Sequence, residues 1–276
     1  MFCSILPYSR SFDDGLLTYH IPDEFRPFVQ VGSSVRIPWW DSEALGIVAS
    51  QSAHMDFEGE IKSIIWPHST VAWFSASEIA LIVSLARYLF VRIHTLAQVF
   101  LPLGIIALFE KNNFLDLTNP VVPEGKGDRT YTILPDETSL MEYIRTKLID
   151  VPWAVILPEG VSVKWWSQLA PGALIDTHSK SISVQKRVYL DLLHWESAIV
   201  FGTRRTLLKR LGHYKHIYII HETLSQDINF GRRKIPLWMM IDFLEAHGHV
   251  IHFVSLTPSV RTLTQFLQQK KTPEYL

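Results

Sequence analysis

The segment YIIHETLSQD, Tyr218 to Asp227, ends an apolar run directly on His221 and Glu222. In nucleotide hydrolysis, acids leaving a buried strand hold magnesium and position water. At His221-Glu222 itself one acid is present, and a single acid directly after a strand is equally an ordinary strand end. A phosphate loop would need G-x-x-x-x-G-K-[ST], whose glycines let backbone N–H groups wrap the phosphates while lysine and the hydroxyl meet charge and magnesium. The one Gly-Lys pair, Gly125-Lys126, is followed by Gly127, and Pro120 stands where the first glycine should be. After the apolar run TYTIL the chain continues as Leu134-Pro135-Asp136-Glu137-Thr138-Ser139. Its two carboxylates would repel a triphosphate, and Asp136 to Ser139 read better as the cap of a helix.

Three histidines, His247, His249 and His252, have no carboxylate at a matching spacing, so they read as loop and strand-end residues rather than metal ligands. Strict alternation would put His247 and His249 on one strand face and His252 on the other. The pairs Trp39-Trp40 and Trp165-Trp166 could stack nucleic-acid bases or pack at the rim of a core. The basic clusters Arg204-Arg205, Lys209-Arg210, Lys215 and Arg232-Arg233-Lys234 are either a solvated face or phosphate contacts.

Two kinds of texture position these groups. From Tyr19 to Val48 short runs (LLTYHI, SSVRIPW, ALGIVAS) are separated by turn residues such as Gly32-Ser33-Ser34, and IKSIIW follows a polar loop. This predicts a small sheet or barrel. Ser75 and Glu78 form a capping-box pattern ahead of Ile79, Ile82, Val83, Ala86, Leu89 and Phe90, which repeat at helical spacing, and a second helix is predicted over Thr95 to Phe100. NPVVPEGKGDR, Asn119 to Arg129, reads as a linker.

Beyond it, strand and helix alternate: TYTIL then Ser139–Leu148, WAVILP then Val163–Leu169, ALID then Ile182–Leu193, SAIVF then Arg204–Leu211, HIYII then Leu237–Ala246, and HVIHFV then Val260–Gln268. That rhythm predicts an α/β, doubly wound parallel sheet. The expected organisation is a β-rich domain over 1–118, a linker over 119–130 and a parallel-sheet lobe over 131–276.

Composition bounds the function. The chain has 276 residues, is 47% hydrophobic and has one cysteine, Cys3, which excludes an internal disulfide or a cysteine-based zinc ribbon. No apolar run reaches the roughly 18–20 residues of a membrane helix, and MFCSILPYSR has no secretory pattern, so a cytoplasmic protein is expected. The net charge of −1 is unevenly spread: 7 Lys/Arg against 12 Asp/Glu in residues 1–120, and 19 against 15 in 121–276. A broad phosphate-binding surface is therefore expected in the second part.

In order and spacing, several fragments resemble the primosomal protein N′ family, the PriA replication-restart helicases. They are Ser11-Phe12-Asp13, VGSSVRIPWW (Val31 to Trp40), Gly46-Ile47-Val48, Ile61-Lys62 and SASEIALIVSLARYLFVRIHTLAQVFLP. The resemblance implies a DNA-binding domain that pockets the 3′ end of a nascent strand, with Phe12, Asp13 and Lys62 at the pocket. The family's glycine falls on Trp40, which would either fill the pocket or supply a stacking surface.

The second part is similar to the family's first RecA-like helicase lobe at Leu157-Pro158-Glu159, His178-Ser179, Ile199 to Arg204 and Ser255 to Ser259. This implies that Thr203, Arg204 and the neighbouring Arg205 lie on the DNA side. Thr138 and Glu222 would be remnants of the nucleotide site, because LPDETS replaces the phosphate loop and His221-Glu222-Thr223-Leu224 replaces D-E-E-H. The family's winged-helix insert, cysteine-rich zinc region and second lobe have no counterpart in the sequence.

The resulting expectation is a protein derived from a superfamily 2 ATP-dependent 3′–5′ DNA helicase that recognises forked DNA or 3′ ends in replication restart. It would act without ATPase activity, cofactor, metal or membrane partner, in company with primosome or replication proteins. The alternatives are a scaffold of the replication machinery that binds no DNA, and an ATPase completed by a partner.

Overall fold

The computed structural model describes residues 1–8, 15–54, 59–102, 104–106, 125–147, 152–159, 161–177, 181–194, 197–209, 211–221, 227–230, 232–257, 264, 268 and 273–275. The chain divides into two compact units, Met1–Pro120 and Val121–Leu276.

The first unit is an antiparallel sheet in the order β2-β1-β4-β3-β5, formed by β1 (Phe2–Pro7), β2 (Leu17–His20), β3 (Ser33–Trp39), β4 (Ser42–Ser52) and β5 (Trp66–Ala72). Alternation along β3 turns Val35, Ile37 and Trp39 to one face, where they pack with Ile5, Tyr19, Ala44, Val48 and Ile64. Ahead of β5, residues 62–65 join the two margins of the sheet. His20 N–H donates to the Lys62 carbonyl (3.0 Å) and Ile64 N–H to His20 (3.0 Å), while Ile65 N–H donates to Arg36 (2.8 Å). The sheet therefore curls around its core in the manner of a small barrel. IKSIIW, expected to be a strand throughout, contributes only this link before β5 begins at Trp66.

Strand β1 has no counterpart in the sequence reading. Ile5 and Leu6 are both buried, so consecutive side chains meet a core on both faces and alternation is lost. The second face carries α1 (Ala76–Leu89), packed on β4, and α2 (Ile93–Phe100), packed on β1. The capping box is present: Glu78 N–H donates to Ser75 Oγ (3.2 Å), and Ser75 N–H to Glu78 Oε2 (2.7 Å). The Tyr8 hydroxyl reaches the Ala97 and Leu101 carbonyls, and Gln98 Nε2 donates to the Tyr8 carbonyl at 2.7 Å, fixing α2 to the end of β1. Gly32, at φ +88°, permits this layer to close, because a Cβ there would stand 1.7 Å from the Phe74 carbonyl oxygen.

The second unit is a wholly parallel sheet in the order β14-β6-β13-β10-β7-β9-β8. Its strands are β6 (Asp128–Ile133), β7 (Trp153–Leu157), β8 (Leu174–Asp176), β9 (Ile199–Thr203), β10 (His216–Ile220), β13 (Val250–Ser255) and β14 (Glu274–Tyr275). Asp128 to Thr130, assigned to the linker from sequence, already belong to β6. The main helices are α3 (Glu137–Lys147), α4 (Val163–Trp166), α5 (Ile182–His194) and α6 (Leu237–Ala246). Every residue of central β7 is buried, which is why its sequence is a continuous apolar run. The unit is α/β, as the rhythm of the sequence predicts, with the layout of a RecA-like lobe.

Three details differ from expectation. Arg204–Leu211 is not an α-helix; a 3-10 segment, Arg204–Leu208, ends where the Lys209 ammonium turns inward to Asp176 at 2.7 Å. Val163–Leu169 is one short α turn followed by a 3-10 turn. The hairpin β11 (Asp227–Phe230) and β12 (Arg233–Pro236) is additional; its one buried cross-strand pair, Ile228 and Ile235, is too little for a periodicity signal. The expected helix Val260–Gln268 lies almost entirely outside the described residues. Among the described residues no helix is long and apolar enough to cross a membrane.

Candidate functional site

The first unit offers an exposed surface at one end of its sheet. Strands β1 and β3 are both antiparallel neighbours of β4, so they run in the same direction and leave the sheet at the same end. There Trp39 pairs with Ser42 across a two-residue turn of Trp40 and Asp41. Trp40 has φ +51°, a left-handed conformation that a bulky side chain rarely adopts, and is 72% exposed. Trp39 faces the core, so the two tryptophans divide between inside and outside. Phe12 and Asp13 lie outside the described residues. Lys62 is exposed, and its backbone carbonyl is the one joined to His20.

In the second unit the GTR segment is divided between interior and surface. Arg204 is fully buried and donates through Nη2 to the carbonyls of Ile220 (3.2 Å) and His221 (3.1 Å). The guanidinium is committed to the protein interior, where it straps the end of β10, and it is not the exposed phosphate contact that the sequence suggests. Thr203 and Arg205 are partly exposed. Gly202 has a steric role, since a Cβ there would lie 2.1 Å from Thr206 Oγ1. Thr206 is buried and donates to Asp176 Oδ2 at 2.8 Å, beside the buried Asp176–Lys209 pair. Lys209 thus leaves the pool of candidate DNA contacts as well. Arg232, Arg233 and Lys234 are exposed at the β11–β12 hairpin.

The carboxyl ends of the parallel strands form a cleft of about 350 Å³ lined by Glu137, Met141, Val161, Trp165, Trp166, His221 and Ser255–Thr257. This is the edge at which such sheets take ligands. Thr138 is exposed in the first turn of α3, and Glu222 lies outside the described residues. At the N-terminus of α3, Ser139 N–H donates to Asp136 Oδ1 at 2.8 Å. That hydrogen bond, with lesser help from Thr138, holds the Asp136 carboxyl below the usual range. The helix end that would meet an anion already carries the chain's own carboxylate. His221, at φ +47°, donates its N–H to Val254 at 2.9 Å. Burial, and secondarily Arg204, lower its imidazole pKa, while Glu137 acts in the opposite direction.

The three histidines of the HGHVIH motif are each placed by contacts within the protein. His247 caps α6, and His249 is buried against the Tyr214 carbonyl (2.9 Å). His252 sits within β13 between Thr130 Oγ1 (2.7 Å) and His216 Nδ1 (3.0 Å). No group of three metal-ligating side chains occurs among the described residues.

Fold and surface thus define a protein of two units, a curled antiparallel sheet closed by two helices and a parallel α/β lobe. Residues 5–102, which contain all five strands of the first sheet from Ile5 onward together with α1 and α2, match the family model of the PriA 3′ DNA-binding domain. No curated protein matches the chain. Among solved structures it is similar to the Mycobacterium smegmatis helicase Lhr bound to ssDNA and AMP-PNP, at 13% identity and a TM-score of 0.35, over 60% of this chain and 25% of that one.

Proposed function

We propose that this protein binds DNA 3′ ends through its first unit, at forks or other single-strand/double-strand junctions, as a replication-restart accessory that does not hydrolyse ATP. The observation that carries this reading is the match of residues 5–102 to the 3′ DNA-binding domain model. An aromatic and a basic side chain, Trp40 and Lys62, are exposed on the same unit. Phe12, Asp13 and Lys62 form the proposed end pocket, with Trp40 offering its indole to a base. Thr203, Arg205 and the Arg232–Lys234 cluster supply phosphate contacts from the second unit. The Asp136 carboxylate at the start of α3 supports the non-hydrolytic part of the reading.

The test is a fluorescence anisotropy titration of the full chain with forks whose 3′ end is free or phosphorylated. Tighter binding to the free end is expected, and Lys62→Ala should remove the preference. Equal or undetectable binding to both forks at low salt would sink the reading. On single strands log K should fall with log salt by about 0.7 per phosphate contacted. Neutralising Arg232, Arg233 and Lys234 together should reduce that slope.

A further inference from the structure

The cleft at the carboxyl edge of the parallel sheet is a formed site, and its chemistry is the opposite of a phosphate site. Trp165 and Trp166 meet with ring centroids 5.9 Å apart at 82°, making an aromatic corner. Trp166 is buried, whereas Trp165 is 48% exposed and presents its surface to the cleft. Glu137 lines the same cleft, close enough to His221 for its charge to act there. Met141, Val161 and Leu256 complete an apolar floor, and the described lining residues include no lysine or arginine. Ser255 Oγ is already engaged, donating to the Thr257 carbonyl and accepting from Thr257 N–H, and of the described lining side chains Glu137 is the one acidic group.

We propose that this cleft binds a guanidinium group, an arginine side chain presented by a partner polypeptide. An indole face attracts a cation through the ring quadrupole, and the attraction grows as water is excluded. A carboxylate prefers the planar fork of guanidinium, which can stack on the indole while donating two parallel hydrogen bonds. Polyphosphate is opposed at the same place by Glu137 and by the Asp136 carboxylate on the helix N-terminus. Neutral His221 adds no competing charge and can accept a further N–H.

The probe is a blocked Gly-Arg-Gly peptide titrated into the full chain, followed by tryptophan fluorescence and calorimetry. Gly-citrulline-Gly, free arginine, adenosine and MgATP serve as comparisons. Saturable binding of the arginine peptide is expected, with the citrulline peptide, nearly isosteric but uncharged, roughly tenfold weaker. Glu137→Gln should cost a similar factor. Glu137 is exposed, so this variant is expected to keep the wild-type circular dichroism, and Trp165→Ala provides a second variant with the same expected loss. The proposal is overturned by equal binding of the arginine and citrulline peptides, or by an arginine peptide that does not saturate. Tighter binding of free arginine, adenosine or MgATP would overturn it too, as would unchanged affinity in both variants. None of these outcomes depends on whether the first unit binds DNA.

Discussion

Trp40 occupies a backbone position that suits glycine. A left-handed φ costs an L residue roughly 1–2 kcal/mol, and Trp40 sits at +51° with most of its indole exposed. Trp40→Gly should therefore raise the unfolding free energy of the first unit by about 1 kcal/mol while weakening DNA binding. Urea denaturation and the anisotropy titration read the two effects separately. A loss of stability would mean that the indole's packing outweighs the backbone cost; a gain with unchanged affinity would remove Trp40 from the DNA surface. The division of Trp39 from Trp40 continues the alternation of Val35, Ile37 and Trp39, whereas the sequence reading took the two tryptophans as one pair. The burial of Arg204 was not legible in the sequence. A basic pair after a strand reads as solvated, and the carbonyls that hold it, those of Ile220 and His221, become neighbours only when β9 and β10 flank β7.

At the scale of elements, long strands and helices were legible because burial on one face imprints a period and burial on both faces leaves a continuous apolar run, as in β7. The capping box of α1 was read from two residues because its geometry is local. What escaped was set by non-local pairing, such as β1 between two cores, the β11–β12 hairpin and the Thr130–His252–His216 chain across β6, β13 and β10. Those histidines give the second unit a pH dependence. Burial holds His252 down to about 3 and His249 and His213 down to about 4, against an ordinary value of 6.5. The unfolded chain therefore takes up protons below about pH 6.5 that the folded unit refuses, and stability falls with pH in that range. Denaturant midpoints between pH 7.5 and 4.5 should decline, chiefly below 6.5 and before most carboxylates titrate. A flat profile would show that these side chains are hydrated in the native state.

Across the whole molecule the charge asymmetry read from the sequence acquires a structural meaning, though a narrower one than a basic stripe. Part of the positive charge of the second unit is spent inside it, on Arg204, on Lys209 with Asp176, and on Arg129 with Asp242 and Glu245. Net charge counts buried and exposed groups alike, so a composition argument overstates the field available to DNA. The same accounting applies to nucleotide. A ligand that binds the folded state stabilises it by RT ln(1 + [L]/Kd), which is about 0.4 kcal/mol when the ligand concentration equals Kd. With Asp136 already on the N-terminus of α3 and Glu137 in the cleft, millimolar MgATP should leave the melting temperature of the full chain unchanged. The double variant Asp136→Ser/Glu137→Gln removes both opposing carboxylates, and any residual affinity of the helix end for phosphate should then appear as a rise with MgATP. A rise of several degrees in the wild-type chain would instead mean that the second unit keeps a nucleotide-binding site, and phosphate release from MgATP by that chain would overturn the non-hydrolytic reading.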